Sequence, residues 1–184
     1  SFSFNNFRRP PPRYNLTLSL SDLYKGATKS VTIAVPTPRG SERQTMTVRI
    51  PRGVTEGSVM EVGGVEFVVK EGDDGGFKRS GNDLMITIRI NLTECLTGVE
   101  RTFTHLDGRS VRVRSNGPVR HGAVMVVRDE GMPVRGGGEG KFGRMFVKWH
   151  VEAPEVEKER REEVARFFGE SVEELRGKGK AGVK

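Results

Sequence analysis

The sequence predicts a mainly β protein built as two tandem small β-sandwich units, followed by a C-terminal α-helix. Three observations predict it. One β-rich stretch occurs twice, apolar residues alternate with polar ones through both occurrences, and the pattern turns Glu-, Arg- and Lys-rich after Pro154. Residues 16–33 (LTLSLSDLYKGATKSVTI) match residues 88–105 (IRINLTECLTGVERTFTH) at a constant offset of 72. Leu16 then falls on Ile88, Leu18 on Ile90, Leu20 on Leu92, Asp22 on Glu94, Gly26 on Gly98, Lys29 on Arg101 and Val31 on Phe103. A second match runs at an offset of 65, with Val48 on Val113, Val54 on Val119, Gly57 on Gly122, Val59 on Val124, Met60 on Met125 and Val62 on Val127. The offset drops because 12 residues separate Ile33 from Met46 but only 5 separate His105 from Val111. A repeat of this kind settles the architecture before any single motif does.

Each element follows from its local pattern. Residues 1–13 (SFSFNNFRRPPPR) are polar and Phe-dotted, and their proline run favours an extended, disordered lead-in. The first sandwich is expected over residues 14–80. Tyr14, Leu16, Leu18 and Leu20 alternate with polar residues as a half-buried strand does. Ser21 then caps a short turn of Asp22, Leu23 and Tyr24 that Gly26 ends. Val31, Ile33 and Val35 form the next strand, and a long turn around Pro36, Pro38 and Gly40 leads to Met46, Val48 and Ile50. Strands at 59–62 and 65–69 follow, and the Gly-Asp cluster at 72–76 joins the units. The second sandwich is expected over residues 81–154. Its short turn lies at 94–96, and the hairpin that starts at Phe103 turns at Asp107-Gly108 as a type I′ pair. Pro154 opens a helix over 155–176 with Val164, Phe167 or Phe168, Val172 and Leu175 as a narrow apolar stripe. Gly177 stops it, and residues 177–184 are a basic tail.

Composition bounds the function. The 184 residues are 34% hydrophobic, which fits two thin sandwiches sharing little core better than one deep α/β enzyme. The net charge of +7 admits nucleic acid, an acidic surface or an acidic protein as partner without choosing among them. Cys95 is the only cysteine, so no intrachain disulfide or Cys-based zinc site can form, and a reducing, cytoplasmic setting is expected. No apolar run is long enough to span a membrane, and the start at Ser1 rather than Met fits a processed product or a cut fragment.

No motif brings enzyme chemistry with it. The formal GxGxxG at Gly138–Gly143 would have to open a helix to serve a dinucleotide, yet a strand pattern follows it. His105, His121 and His150 lack metal-ligand spacing, and the repeat places His105 where Ile33 stands and His121 where Glu56 stands, so neither position calls for imidazole. Arg109, Arg112 and Arg114 alternate with Val111 and Val113, the ordinary outer face of a strand. Aromatics are too few, at 7%, for a single-strand nucleic-acid groove. No catalytic residue, metal or cofactor is expected. What remains is apolar surface beside an exposed strand, which serves either as core or as a seat for an extended peptide.

The segments NLTLSLSDLYKGATKSVTI, VRIPRGVTEGSVM, FKRSGNDLMITIRINLTECLTGVERTFTHLDGR and DEGMP, with the strand ending at Ala153-Pro154, occur in an order that resembles the C-terminal region of DnaJ-type co-chaperones, the heat-shock forty family. The resemblance covers residues 14–154. It implies two β-sandwich subdomains, a C-terminal dimerisation segment, and a role in holding unfolded clients and delivering them to the seventy-kilodalton heat-shock chaperone. AVPTPRGSERQT stands where zinc-binding members insert cysteine repeats, so the chain resembles the zinc-free class. The resemblance does not extend to a His-Pro-Asp tripeptide, which is absent from these residues. It implies a client pocket of Tyr14, Leu16, Lys29, Val31, Ile33 and Phe67, with Lys29 and Arg43 taking the partner chaperone's acidic tail. It also implies a homodimer formed through Val164, Phe167, Phe168, Val172 and Leu175. Two departures stand out. Gly63-Gly64 replaces a long Gly-rich loop near Phe67, and Gly143-Arg144 replaces Gly-Asp before the last strand. The alternatives are a scaffold dedicated to one partner and a basic nucleic-acid binder.

Overall fold

The computed structural model describes residues 11–37, 40–138 and 140–171. The repeat appears as two units with one connection plan. In the first, β1 (Arg13–Leu18) leads through α1 (Leu20–Lys25) to the hairpin of β2 (Ala27–Thr37) and β3 (Gly40–Ile50), then to β4 (Val59–Val62) and β5 (Val65–Glu71). In the second, β7 (Asp83–Asn91), α2 (Leu92–Thr97), β8 (Val99–Thr104), β9 (Ser110–Ser115), β10 (Val124–Val127) and β11 (Met145–Glu152) repeat it. The first sheet has the order β1-β5-β4 and faces the β2-β3 ribbon, while the second has β10-β11-β7-β6 beside the β8-β9 ribbon. The added strand β6 (Phe77–Ser80) was expected within the first unit, yet it pairs antiparallel with β7 in the second unit's sheet.

The short helices begin earlier than a Ser21 cap would place them. Ser19 Oγ accepts from the Asp22 amide at 3.0 Å while the Ser19 amide donates to the Asp22 carboxylate. Asn91 and Glu94 repeat this capping box in α2. An N3 carboxylate can satisfy the cap's amide only when the cap stands three residues before it, which selects Ser19 over Ser21. The β2-β3 ribbon is likewise longer than expected. Pairing runs from Ala27–Ile50 to Thr37–Gly40, so the stretch read as a long turn is mostly strand. The Asp107-Gly108 turn is not type I′, because Gly108 has φ +94° and Asp107 is not among the residues with positive φ. The His105 amide donates to the Arg109 carbonyl and the Gly108 amide to the His105 carbonyl, so the loop has three residues with glycine in the left-handed position.

The two units share a continuous core rather than two thin ones. One buried cluster runs from Leu16 and Phe67 through Tyr24, Phe77 and Leu106 to Trp149. His105 lies in the seam at 3% exposure, edge-on to Tyr24 (5.1 Å) and Phe77 (5.8 Å). Its Nε2 is 3.0 Å from the Glu130 carbonyl oxygen, and Asp107 Oδ1 is 3.5 Å from Nδ1. The position therefore uses one ring nitrogen, Nε2, where the repeat has Ile33, while Nδ1 is buried without a hydrogen-bond partner among the described residues. Ser21 Oγ donates to the Leu106 carbonyl at 2.7 Å. Arg79, 3% exposed, donates to the Val54 carbonyl at 2.7 Å and to Glu71 at 2.9 Å, tying β6 back to the first unit.

Residues 152–171 form a separate small unit. A 3-10 turn at Lys158–Arg160 precedes α3 (Arg161–Phe167). Residues 155–157 are not helical, and the helix ends at Phe168 because Gly169 takes φ +74°. The helix expected over 155–176 is thus short within the described residues, and its stop is Gly169 rather than Gly177.

Candidate peptide-binding site

Parallel pairing of β1 with β5 sets Tyr14 opposite Phe67 and Leu16 opposite Val69. Tyr14 spans the sandwich: its ring lies 6.3 Å from that of Phe67, and its hydroxyl donates to the Ala34 carbonyl of the ribbon at 2.6 Å. On the ribbon, Lys29, Val31 and Ile33 share one face with Val48, Met46 and Gln44. The six expected pocket residues thus belong to the two layers of one sandwich, but they are not equally accessible. Phe67 is 0% exposed, and Leu16 and Ile33 are buried, so these three are core. Tyr14, Val31 and Lys29 are half-buried and line the accessible edge. The Gly63-Gly64 turn is a tight two-residue hairpin with both φ positive (+58° and +75°), joining β4 to β5. It leaves Phe67 covered rather than opening the rim.

The charged part of the site differs from expectation. Lys29 Nζ is 2.9 Å from Asp22 Oδ2. Burial alone would push the Asp22 carboxyl up, but hydrogen bonds from Lys29 and Ser19 hold it below its ordinary range. The second copy repeats the pairing with Arg101 and Glu94, whose carboxyl is held down by the Asn91 amide and by Arg101. Lys29 therefore already serves the helix cap. Arg43 stands opposite Ala34, on the other face of the ribbon from Lys29, so the two cations do not converge. Three cations that the sequence reading passed over, Lys25, Arg49 and Arg52, line a cleft of about 570 Å³ where β2 begins and β3 ends. Their convergence depends on the ribbon's register and on the close packing of Gly26 against Ile50 and Arg52, which spacing along the chain does not reveal.

Other candidates resolve plainly. His121 and His150 come together, with ring centroids 4.9 Å apart. Among the described residues no group of three or more potential metal ligands forms. Gly138, Gly140 and Gly143 lie in the connection from β10 to β11, and a strand follows, as expected for a loop. Val164, Phe167 and Phe168 are exposed at 40%, 83% and 50%. Val172 and Leu175 lie outside the described residues. No helix among the described residues is long and apolar enough to cross a membrane.

Residues 12–154 match the model of the DnaJ C terminal domain. DnaJ homolog subfamily A member 2 of Homo sapiens is 39% identical over 98 residues, covering 52% of this chain and 24% of that protein. Protein SIS1 of Saccharomyces cerevisiae is 28% identical over 154 residues, covering 76% of this chain and 44% of that protein. Chaperone protein DnaJ 2 of Aquifex aeolicus is 29% identical over 131 residues. The chain thus spans less than half the length of the relatives it matches.

Proposed function

The chain belongs to the DnaJ C-terminal domain family, and from that membership we propose that it binds non-native polypeptides and passes them to the seventy-kilodalton heat-shock chaperone. The observation that carries the reading is the edge of the first sandwich. There Tyr14 and Val31 offer half-buried apolar surface beside a cation, over a core already closed by Phe67. An extended client segment places one apolar side chain against Val31 and Tyr14, and its neighbours stay in water. Within residues 14–80, strands β1 to β5 act as the client unit. Val164, Phe167 and Phe168 pair two chains, which gives two weak peptide sites the benefit of avidity. The partner's acidic tail binds on the first unit. It competes with Asp22 for Lys29 or enters the cleft of Lys25, Arg49 and Arg52.

The test is a titration of an unfolded client peptide and an acidic tail peptide against the wild type, Val31→Asp, Lys29→Glu and Arg49→Glu. Val31→Asp should abolish client binding and spare the tail. Loss of the tail with Arg49→Glu, but not with Lys29→Glu, would place it in the cleft. If the wild type bound neither peptide, the reading would fail. Binding of one peptide sequence alone would mark a scaffold dedicated to a single partner. A monomeric mass at micromolar concentration would end the dimer proposal.

A further inference from the structure

Asn116 is the single asparagine of the chain that a glycine follows. It comes directly after β9 (Ser110–Ser115), in a bend at residues 116–117 that belongs to no strand ladder. Asn116 is exposed, and neither its side chain nor the Gly117 amide has a hydrogen-bond partner among the described residues. Gly117 is not among the glycines with positive φ, and a Cβ built on it would meet nothing within 4 Å. The other described asparagines differ. Asn91 Oδ1 accepts from the Glu94 amide at 2.8 Å, and Leu92 follows it. Asn15 lies within β1 and precedes Leu16, and Asn82 precedes Asp83. Two aspartates also precede glycine, but their carboxylates are held. Asp107 accepts from the Arg109 amide at 2.9 Å and from its Nε at 2.6 Å, and the Gly108 amide is spent on the His105 carbonyl. Asp74 accepts from the Ser21 amide at 2.5 Å.

An asparagine side chain can react with the next residue's amide nitrogen where the backbone is free to turn, and a following glycine puts no Cβ in the way. We propose that Asn116-Gly117 is a site of spontaneous deamidation through a succinimide, a covalent modification that needs only water as co-reactant. The Gly117 amide nitrogen gives its proton to solvent and bonds to Asn116 Cγ. The Cγ–Nδ2 bond breaks, and Nδ2 takes up a proton and leaves as ammonia. One water then opens the ring. Breaking the new bond at Cγ leaves aspartate, and breaking the bond to the main-chain carbonyl carbon of residue 116 leaves isoaspartate. No atom is oxidised or reduced. The repeat confines this chemistry to the second unit, because Pro51-Arg52 stands there in the first copy and neither residue carries a side-chain amide. Both positions line matching clefts. Lys25, Arg49 and Arg52 line the first, whereas Thr97, Glu100, Arg114 and Asn116 line the second, of about 340 Å³. Arg114 is already 3.7 Å from Glu100. Deamidation sets a second carboxylate beside that one cation, so the two clefts become opposite in charge. Isoaspartate also lengthens the main chain ahead of Val119, which is buried and whose amide donates to the Cys95 carbonyl at 2.8 Å. This modification is independent of the client edge on the first unit.

The full chain is incubated in mildly alkaline buffer, sampled over time and mapped by peptide mass spectrometry, beside a free peptide of residues 111–120. The segment carrying Asn116 should gain about 1 Da and split into aspartate and isoaspartate species. Its rate should lie within about tenfold of the free peptide's, while Asn82 and Asn91 stay intact over the same time. Gly117→Ala, whose Cβ enters open space, should slow the conversion by about tenfold or more. A folded chain that converts more than about tenfold slower than the peptide would overturn the proposal, because the fold would then be holding the bend unreactive. So would a product that is aspartate alone, conversion at Asn82 or Asn91 that keeps pace, or a rate unmoved by Gly117→Ala. The wild-type time course needs no variant, so the proposal stays open to refutation even if Gly117→Ala fails to fold.

Discussion

The two copies share their capping boxes, their cation on the ribbon and their strand order, and they part company at the connection into the final strand. In the first copy Gly63-Gly64 turns β4 directly into β5. In the second, residues 128–144 intervene, and their Met132, Pro133 and Phe142 pack into the seam between the units. Glycine makes both connections possible for different reasons. Gly63 and Gly64 supply positive φ, whereas Gly143 supplies room, since a Cβ there would lie 1.9 Å from the Asn82 carbonyl oxygen. The short turn stays within its own sandwich, while the long connection joins the halves. One backbone plan thus carries either a tight turn or a connection that packs across the seam.

The sharpest way to break this comparison is Phe67→Ala. If Phe67 is core, as its complete burial implies, the variant should lose about 3–5 kcal/mol of stability in denaturant unfolding. Loss of client binding with unchanged stability would instead return Phe67 to the pocket. Gly143→Ala should cost up to about 3 kcal/mol through overpacking against Asn82. Gly64→Ala, with open space around it, should cost about 1–2 kcal/mol from its left-handed backbone. Equal effects in thermal melts would remove the distinction between the two loops.

Ser19→Ala and Asn91→Ala probe what the copies have in common, and each should cost about 1 kcal/mol. A markedly larger loss at one site would show that the caps are not equivalent. The smallest effect concerns pH. Asp22 and Glu94 have folded-state pKa values lowered from ordinary. Their contribution is therefore present above the unfolded carboxylate range, near pH 4, and is lost as pH falls through the lower folded values. Lys29→Met should flatten that acid limb by less than about 1 kcal/mol, because the pair is partly solvated. A pH profile unchanged by Lys29→Met would remove the Lys29–Asp22 contact from the account.

Much of this was legible in the chain. Alternating apolar residues marked β1, β5, β7 and β11, because one buried face imposes a period of two. The repeat marked that the two units share one connection plan, and only the pairing supplies the strand order. The cap positions were less legible, since Ser19 and Ser21 both fit an N-cap and only reciprocal hydrogen bonding to Asp22 separates them. The end of α3 was misplaced because Gly169 and Gly177 are equally plausible stops when only spacing is available. For the six expected pocket residues, the strands that carry them were readable but their layering was not. Nothing in the linear pattern says that Phe67 is sealed while Val31 is half-open.

The sequence by itself determined that this protein is a doubled β-unit, because periodicity and repetition are local properties that survive in one dimension. Tertiary structure alone decided that Lys29 is occupied by Asp22, that Arg43 faces away, and that His105 is buried in a seam between the units. Each of these depends on cross-strand register and on packing between elements far apart in the chain. There a one-residue shift would reverse which face a side chain occupies.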